Sequence, residues 1–298
     1  MSRKLLISDH INNGIIISIL SLLCFAMLYP FWNSAVIAFN DSRDTVMGGV
    51  TFWPRRFTLE NVSYVLKDPR IGNAFLITVL RTTIGTFFSI LVTSLMAFGL
   101  SRRELKFRKI YITLAVFTMY FSGGMIPTYI LIRDLGLRNN FLVYILPTGL
   151  SVWNMIIFRS FFINIPDGLL ESAKIDGANW YIIFFRIVIP VSVPVFATLS
   201  LFTAVYQWNS WFDAALYISK PELMPIQTIL NTILNTSSMR ELMSKLSGTA
   251  ATALKSSNVS SRAVTMATMV VSTTPILLVY PFIQRYFVSG IMIGSLKE

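Results

Sequence analysis

Gly14 to Phe39 runs without one charged residue, and an apolar stretch of that length reads as a helix that crosses a bilayer. Hydrocarbon offers backbone amides no partner, so such a run must satisfy its own hydrogen bonds and is confined to helix. It is too long for a signal-peptide core. Met1 to Asn13 carries Arg3 and Lys4 with no small-residue cleavage pattern, so the run is expected to stay in the protein, with Pro30 kinking or loosening it. Of 298 residues, 54% are hydrophobic and 13% charged. That composition predicts an all-α, polytopic membrane protein.

Five further apolar runs follow, at residues 71–100, 110–132, 140–158, 187–212 and 263–284. The loop Ser101 to Lys109, SRRELKFRK, holds five basic residues against one acidic. Short loops rich in Lys and Arg stay cytoplasmic, so this one orients the chain. Six spans then place both termini inside. The expected layout is a cytoplasmic segment 1–13, a transmembrane domain 14–288 with external loops at about 40–70 and 213–262 and a cytoplasmic loop 164–190, and a cytoplasmic tail 289–298. In the first external loop FWPRRFTLENVSYVLKDP suggests an interfacial turn and a short surface helix. Gly123, Gly124 and Pro127 make the outer half of the third span irregular, lining protein or a cavity. In the second external loop Glu222 to Asn235 reads as amphipathic, and Ser247 to Ser261 as a Ser/Thr/Ala-rich connector.

The formal charge of +11 could suggest nucleic acid, but the cations lie between apolar spans and form no aromatic-interleaved face, so topology accounts for them. His10 is the one histidine and Cys24 the one cysteine. No metal site, catalytic residue or internal disulfide is expected. No GxxxxGK[ST] or GxGxxG occurs, so any ATP must be handled by another chain. Acidic and histidine groups at membrane depth are scarce, which argues against an ion-coupled secondary carrier. The lack of nucleophile–base pairs argues against a membrane-embedded enzyme.

The one well-formed cytoplasmic interruption is Asn164 to Pro190. Pro166 suits a first helical turn, where Asn164 or Asp167 can satisfy free amides. Leu169, Leu170 and Ala173 recur on one face while Glu171, Lys174 and Asp176 point elsewhere. Gly177 can take the left-handed turn that ends the helix, and Ala178 to Ile189 begins a second helix closed by Pro190. A projecting elbow results.

The elbow reads Glu171-Ser172-Ala173, three intervening residues and Gly177, nine intervening residues and Ile187, then Ile189-Pro190. This spacing resembles the EAA signature of permease subunits of binding-protein-dependent ABC importers, with Ser172 for the middle alanine and Ile189 for the leucine before the proline. FSGGMIPTYILIRDLGL, WNSWF and the ending YPFIQRYFVSGIMIGSLKE resemble the subfamily that imports complex oligosaccharides. The resemblance covers the chain from the second span onward. It implies a type I importer permease fold in a bacterial cytoplasmic membrane. It also implies a second, different permease, an extracellular binding protein, an oligosaccharide cargo, and two ATPases that bind ATP and Mg. By the same resemblance the elbow would seat in an ATPase groove. Glu171 and Ala173 would make contact, Asp176 would sit at the contact or cap the next helix, Gly177 would allow the turn, and Ala178 and Pro190 complete the signature. Gly290, Gly294 and Lys297 resemble a family tail that reaches between the ATPases, although Glu298 replaces its usual glycine.

Arg81 stands about nine residues into the second span, roughly 14 Å deep if the helix begins near Gly72. A charge there needs a partner. Thr78, Gly85 and Ser89 share its side, giving a small, polar strip. Two readings stand: a residue of the translocation path that binds sugar hydroxyls or a uronate, or a structural contact to neighbouring carbonyls or the outer surface. Gln207, Trp208, Asn209 and Trp211 pair aromatic faces with amides, which suits sugar and equally suits an interfacial belt. The 213–262 loop would meet the binding protein, or rest on the membrane.

Overall fold

Helix α4 (Pro69–Ser101) organises the better-packed part of the chain. The computed structural model describes residues 7–247 and 260–295, and the chain divides into two compact units, residues 69–231 with 275–298 and residues 1–68 with 232–274. In the first unit α4 packs against α7 (Val152–Ile163) and α10 (Val193–Asn209). Its buried face carries Ala74, Thr78, Gly85, Ser89, Thr93, Ser94 and Ala97, small residues that let helices approach closely where no water drives them together. Gly85 is a tight point. A β-carbon there would lie 2.8 Å from Gln207 Nε2. Gly85→Ala should therefore displace the Gln207 amide and cost about 2 kcal/mol, typical of overpacking. The loss would be read as a lowered Tm of the detergent-solubilised chain.

Two other segments of this unit are bent where single helices are predicted. α5 (Arg108–Tyr120) and α6 (Met125–Asp134) meet at 111° across Phe121–Gly124, with Gly124 at φ +84°. The expected irregularity is there, but it turns the chain sharply. α9 (Trp180–Val191) and α10 meet at 86° at Ser192, so the predicted 187–212 span is broken. Pro190 cannot donate an amide, and the turn ahead of it, Phe184–Val188, widens to a π-helix.

The fourth predicted span, 140–158, is also corrected. Phe141–Tyr144 is a short 3-10 turn, the chain through Pro147 and Gly149 is not helical, and α7 begins only at Val152. Protein groups serve this irregular backbone: the Ser151 amide donates to Thr93 Oγ1 at 3.2 Å, and the Tyr144 carbonyl accepts from Thr148 Oγ1 at 2.9 Å. Non-helical backbone survives at such a place because neighbouring side chains replace water. α8 (Asp167–Ile175) forms the first arm of the elbow, and α11 (Phe212–Tyr217) follows α10. α12 (Ile226–Ser247) starts four residues later than the predicted amphipathic stretch, because Pro225 stands before it. Residues 248–259, most of the predicted connector, lie outside the described residues.

In the second unit α1 (Ile7–Ala38) runs through Pro30 without a break. Beyond it, α2 (Ser42–Val46) and α3 (Glu60–Lys67) are tied together by buried amides. Asn61 Nδ2 donates to the Ala38 and Asn40 carbonyls at 3.0 and 2.8 Å, and Ser42 Oγ donates to Asn61 Oδ1 at 2.7 Å. Trp32 Nε1 donates to the Phe52 carbonyl at 2.8 Å, which folds the loop back along α1.

α13 (Ser261–Ser295) is the last element and contains Pro275 and Pro281. Gly290 and Gly294, predicted to lie in the tail, are inside this helix, and Lys297 lies outside the described residues. Among the described residues, Asn12–Ala38 and Pro69–Ser101 are each long and apolar enough to cross a membrane, with two more crossings if each bent pair serves as one. Val152–Ile163 and Arg262–Leu278 are shorter apolar helices at the remaining predicted spans.

Candidate coupling elbow and polar core

The elbow is rooted in an aromatic core. Leu170 is buried among Phe98, Phe158, Phe162, Ile183 and Phe184, and Ala173 and Ala178 pack against the same cluster. Phe158 and Phe162 stack at 5.5 Å, and Phe98 meets Phe184 at 5.4 Å. The turn closes as the glycine suggests: Gly177 adopts φ +82°, its amide donates to the Lys174 carbonyl at 3.0 Å, and the Ala178 amide donates to Ala173 at 2.9 Å. This double closure satisfies the last carbonyls of α8. Asn179, not Asp176, caps the next helix, accepting from the Ile182 amide at 2.9 Å. At the front, Pro166 is the cap position itself and no side chain bonds there, while Asn164 donates back to Ser160.

Ala173 is thus half-buried against the chain's own core, and Glu171, Asp176 and Gly177 are exposed. The predicted pattern misses Ile175, which is 86% exposed at the end of α8. A signal for it existed: an apolar residue directly before the charged residue and glycine that end the helix.

The basic loop braces this elbow. Lys174 Nζ lies 3.2 Å from Glu104 Oε1 and 3.9 Å from the centre of the Trp180 ring. Arg102 donates to the Phe162 carbonyl at 2.9 Å, while Arg159 donates to the Leu100 carbonyl at 3.1 Å. Each guanidinium serves the C-terminal end of the other's neighbouring helix, where carbonyls lack partners and the helix dipole favours a cation. A cleft of about 420 Å³ lies between loop and elbow, lined by Arg102, Arg103, Arg108, Asp167, Glu171 and Lys174 among others. A backbone hydrogen bond and then Lys174 hold the Glu104 carboxyl below its ordinary value. A depressed carboxylate contributes stability above its unfolded pKa and loses it as pH falls through the folded one. The brace is therefore intact at neutral pH.

Arg81 lies toward the other end of α4 and is 0% exposed. Its Nη2 donates to Asp213 Oδ2 at 2.6 Å and to Gln207 Oε1 at 3.2 Å, its Nη1 donates to the Ser210 carbonyl at 3.2 Å, and the guanidinium lies 4.3 Å from the centre of the Tyr144 ring. Gln207 continues the network, donating to Thr148 Oγ1 at 2.9 Å. The charge is engaged inside the chain and not turned to an open face. Asp213 was placed by sequence at the start of a loop; nothing local marks it as the partner, because the pair joins residues far apart in the chain.

The predicted aromatic–amide cluster is divided by the fold. Gln207 and Trp208 are buried, Trp208 edge-on to Phe75 at 5.8 Å, whereas Asn209 and Trp211 are exposed. A second cleft, of about 380 Å³, opens below the arginine network between α4, the 147–154 segment and α10. Among the described residues no group of three or more His, Cys, Asp or Glu could hold a metal.

A family model described as "Binding-protein-dependent transport system inner membrane component" matches residues 85–293. The polygalacturonan/rhamnogalacturonan transport system permease protein YtcP of Bacillus subtilis is 42% identical over 279 residues, 93% of this chain and 95% of that protein. The melibiose/raffinose/stachyose import permease protein MelC of the same organism is 28% identical over 82% of this chain and 83% of its own length. Among solved structures, a bacterial ABC transporter involved in the import of the acidic polysaccharide alginate contains a similar chain, with TM-score 0.86, 27% identity, and coverage of 96% of this chain and all of that one.

Proposed function

The chain belongs to the binding-protein-dependent transport system inner membrane components, non-catalytic multi-pass subunits of the cytoplasmic membrane, and from that premise we propose that it carries an oligosaccharide bearing acidic sugars. The cargo reading is supported by the relatives: the 42% identical permease is named for polygalacturonan and rhamnogalacturonan, and the similar solved transporter imports alginate. The family implies a binding protein and ATPases as partners. The finer assembly in this reading is a second, different permease beside this one, with ATP and Mg held by two ATPase subunits.

One geometric observation carries the coupling role. The elbow is rigidly rooted through Leu170, sharply closed at Gly177, and presents Ile175 outward between charged residues. A lever needs a fixed base and a projecting tip. In this reading Glu171, Ile175 and Asp176 meet the ATPase, Ala173 and Ala178 set the elbow's seat on its own core, and Pro190 breaks the following helix. The basic loop lies at the elbow's end of α4, joined to it through Lys174 and Glu104, which supports a cytoplasmic elbow and cytoplasmic termini.

The test is reconstitution of the chain with its ATPase, second permease and binding protein in lipid vesicles, followed by ATPase assays with neutral and uronate-containing oligosaccharides. Stimulation by the uronate series is the expected result. Stimulation by neutral sugars alone would overturn the acidic cargo, and isolation of the tagged chain without any ATPase in mild detergent would overturn the assembly.

A further inference from the structure

Phe107 is the anomaly of the basic loop. It holds φ +59°, a left-handed conformation that an L-residue other than asparagine or aspartate adopts at a cost, and it is 70% exposed. It stands directly before α5 and makes no side-chain cap there, and its ring belongs to neither core cluster. Strain held at an exposed ring, with no packing inside the chain to offset it, points to a partner outside the chain.

The ring continues an apolar stripe. Ile110, Tyr111, Leu114 and Phe117 of α5 recur on one helical face after Phe107, and all are exposed, whereas Ile112 and Ala115 pack against the core. In a multi-pass chain an uncovered apolar face of this kind meets acyl chains. Phe107, at the loop end of the stripe, is therefore placed where acyl chains give way to headgroups.

The loop's cations are unspent. The side chains of Arg103, Lys106, Arg108 and Lys109 make no ion pair or hydrogen bond among the described residues, and Glu104, the loop's one acid, is taken by Lys174. Arg103 and Arg108 look into the cleft that Asp167 and Glu171 also line; Lys106 and Lys109 are not among its lining residues and are exposed on either side of the Phe107 ring. Lys109 moreover sits in the first turn of α5, where the helix dipole disfavours a cation. Two free ammonium groups on apolar stems beside an exposed ring are complementary to the phosphate and acyl chain of an anionic lipid.

We propose that Lys106, Phe107 and Lys109 form a membrane-surface contact selective for anionic phospholipid. Phe107 enters the interfacial layer, the two lysines hold the headgroup phosphate, and the loop fixed in this way steadies the elbow through Glu104 and Lys174. The proposal rests on the cytoplasmic placement of the elbow, and goes beyond it by assigning a lipid partner that governs coupling.

The experiment uses the full complex in phosphatidylcholine vesicles with and without phosphatidylglycerol. In a Cys24→Ser background, a fluorophore on the thiol of Phe107→Cys reports quenching by lipids that carry a nitroxide near the headgroup. Half-maximal quenching should need about fivefold less nitroxide phosphatidylglycerol than nitroxide phosphatidylcholine, the enrichment that one surface cation gives. Lys106→Gln with Lys109→Gln should remove this preference, while Arg102, Arg103 and Arg108 remain to orient the chain. With Phe107 intact and no label, the same double change should abolish the dependence of oligosaccharide-stimulated ATPase activity on phosphatidylglycerol. Equal quenching by both lipids, quenching by aqueous iodide alone, or stimulated activity indifferent to phosphatidylglycerol in the unaltered complex would overturn the lipid contact. Relief of quenching by soluble glycerol phosphate would assign a free phosphate site and also overturn it. Labelling of Phe107→Cys by a membrane-impermeant reagent from outside intact cells would overturn the cytoplasmic placement, and the lipid contact with it.

Discussion

Gly177→Asp should abolish ATP-driven import and substrate-stimulated ATPase activity while leaving the chain inserted. The residue holds φ +82° at the end of α8, and a β-carbon built on it meets nothing within 4 Å. Within this chain the substitution therefore costs only backbone strain, about 1–2 kcal/mol for a left-handed L-residue, and aspartate is among the residues that tolerate that region best. The chain should fold. Its transport should nevertheless fail, because the new carboxylate projects from the tip of the elbow, beside Asp176 and Ile175, into space that only a partner can fill. Gly177→Ala separates the two causes: it has at least as much backbone strain without the bulk or charge, and should retain import. Normal transport by Gly177→Asp would remove the coupling role, and an equal loss in Gly177→Ala would assign the effect to the turn itself.

The second large effect concerns the Arg81–Asp213 pair. Breaking a buried ion pair by removing one partner leaves an uncompensated charge and costs roughly 3–5 kcal/mol. Arg81→Met strands the Asp213 carboxylate, which also accepts from Ser210 Oγ at 3.1 Å and the Ala214 amide at 2.8 Å. Asp213→Leu strands a guanidinium that already has an unpartnered Nε. Each single change should lower the Tm of the purified chain by on the order of 10 °C. The double variant should lose less than the sum, since it removes both charges together. Additive losses would show that the two side chains act independently. The pair pins α4 to the corner between α10 and α11.

Much of the elbow was legible because its determinants are local. Pro166, the apolar spacing of Leu170 and Ala173, Gly177 and Pro190 act within a turn or two of the chain, and the closing hydrogen bonds at Gly177 follow from them. The basic loop was legible as a charge pattern but not as a brace, since Arg102 and Arg159 bond carbonyls some sixty residues away. Arg81 announced that it needed a partner without naming one. The predicted spans went astray where apolar content was read as continuous helix. Residues 141–151 are as hydrophobic as a span, but Pro147 and Gly149 interrupt them, and the loop survives only because Thr93 and Gln207 stand ready to bond its backbone.

What the amino-acid order determined by itself was the medium, the helical class and the elbow, because hydrophobic transfer, backbone satisfaction and turn chemistry are short-range and additive along the chain. Tertiary structure alone decided which helices break, which carboxylate meets Arg81, and which polar groups face an open space. Those outcomes depend on packing between α4, α7 and α10, where a single hydrogen bond joins residues more than a hundred positions apart and no local pattern records it.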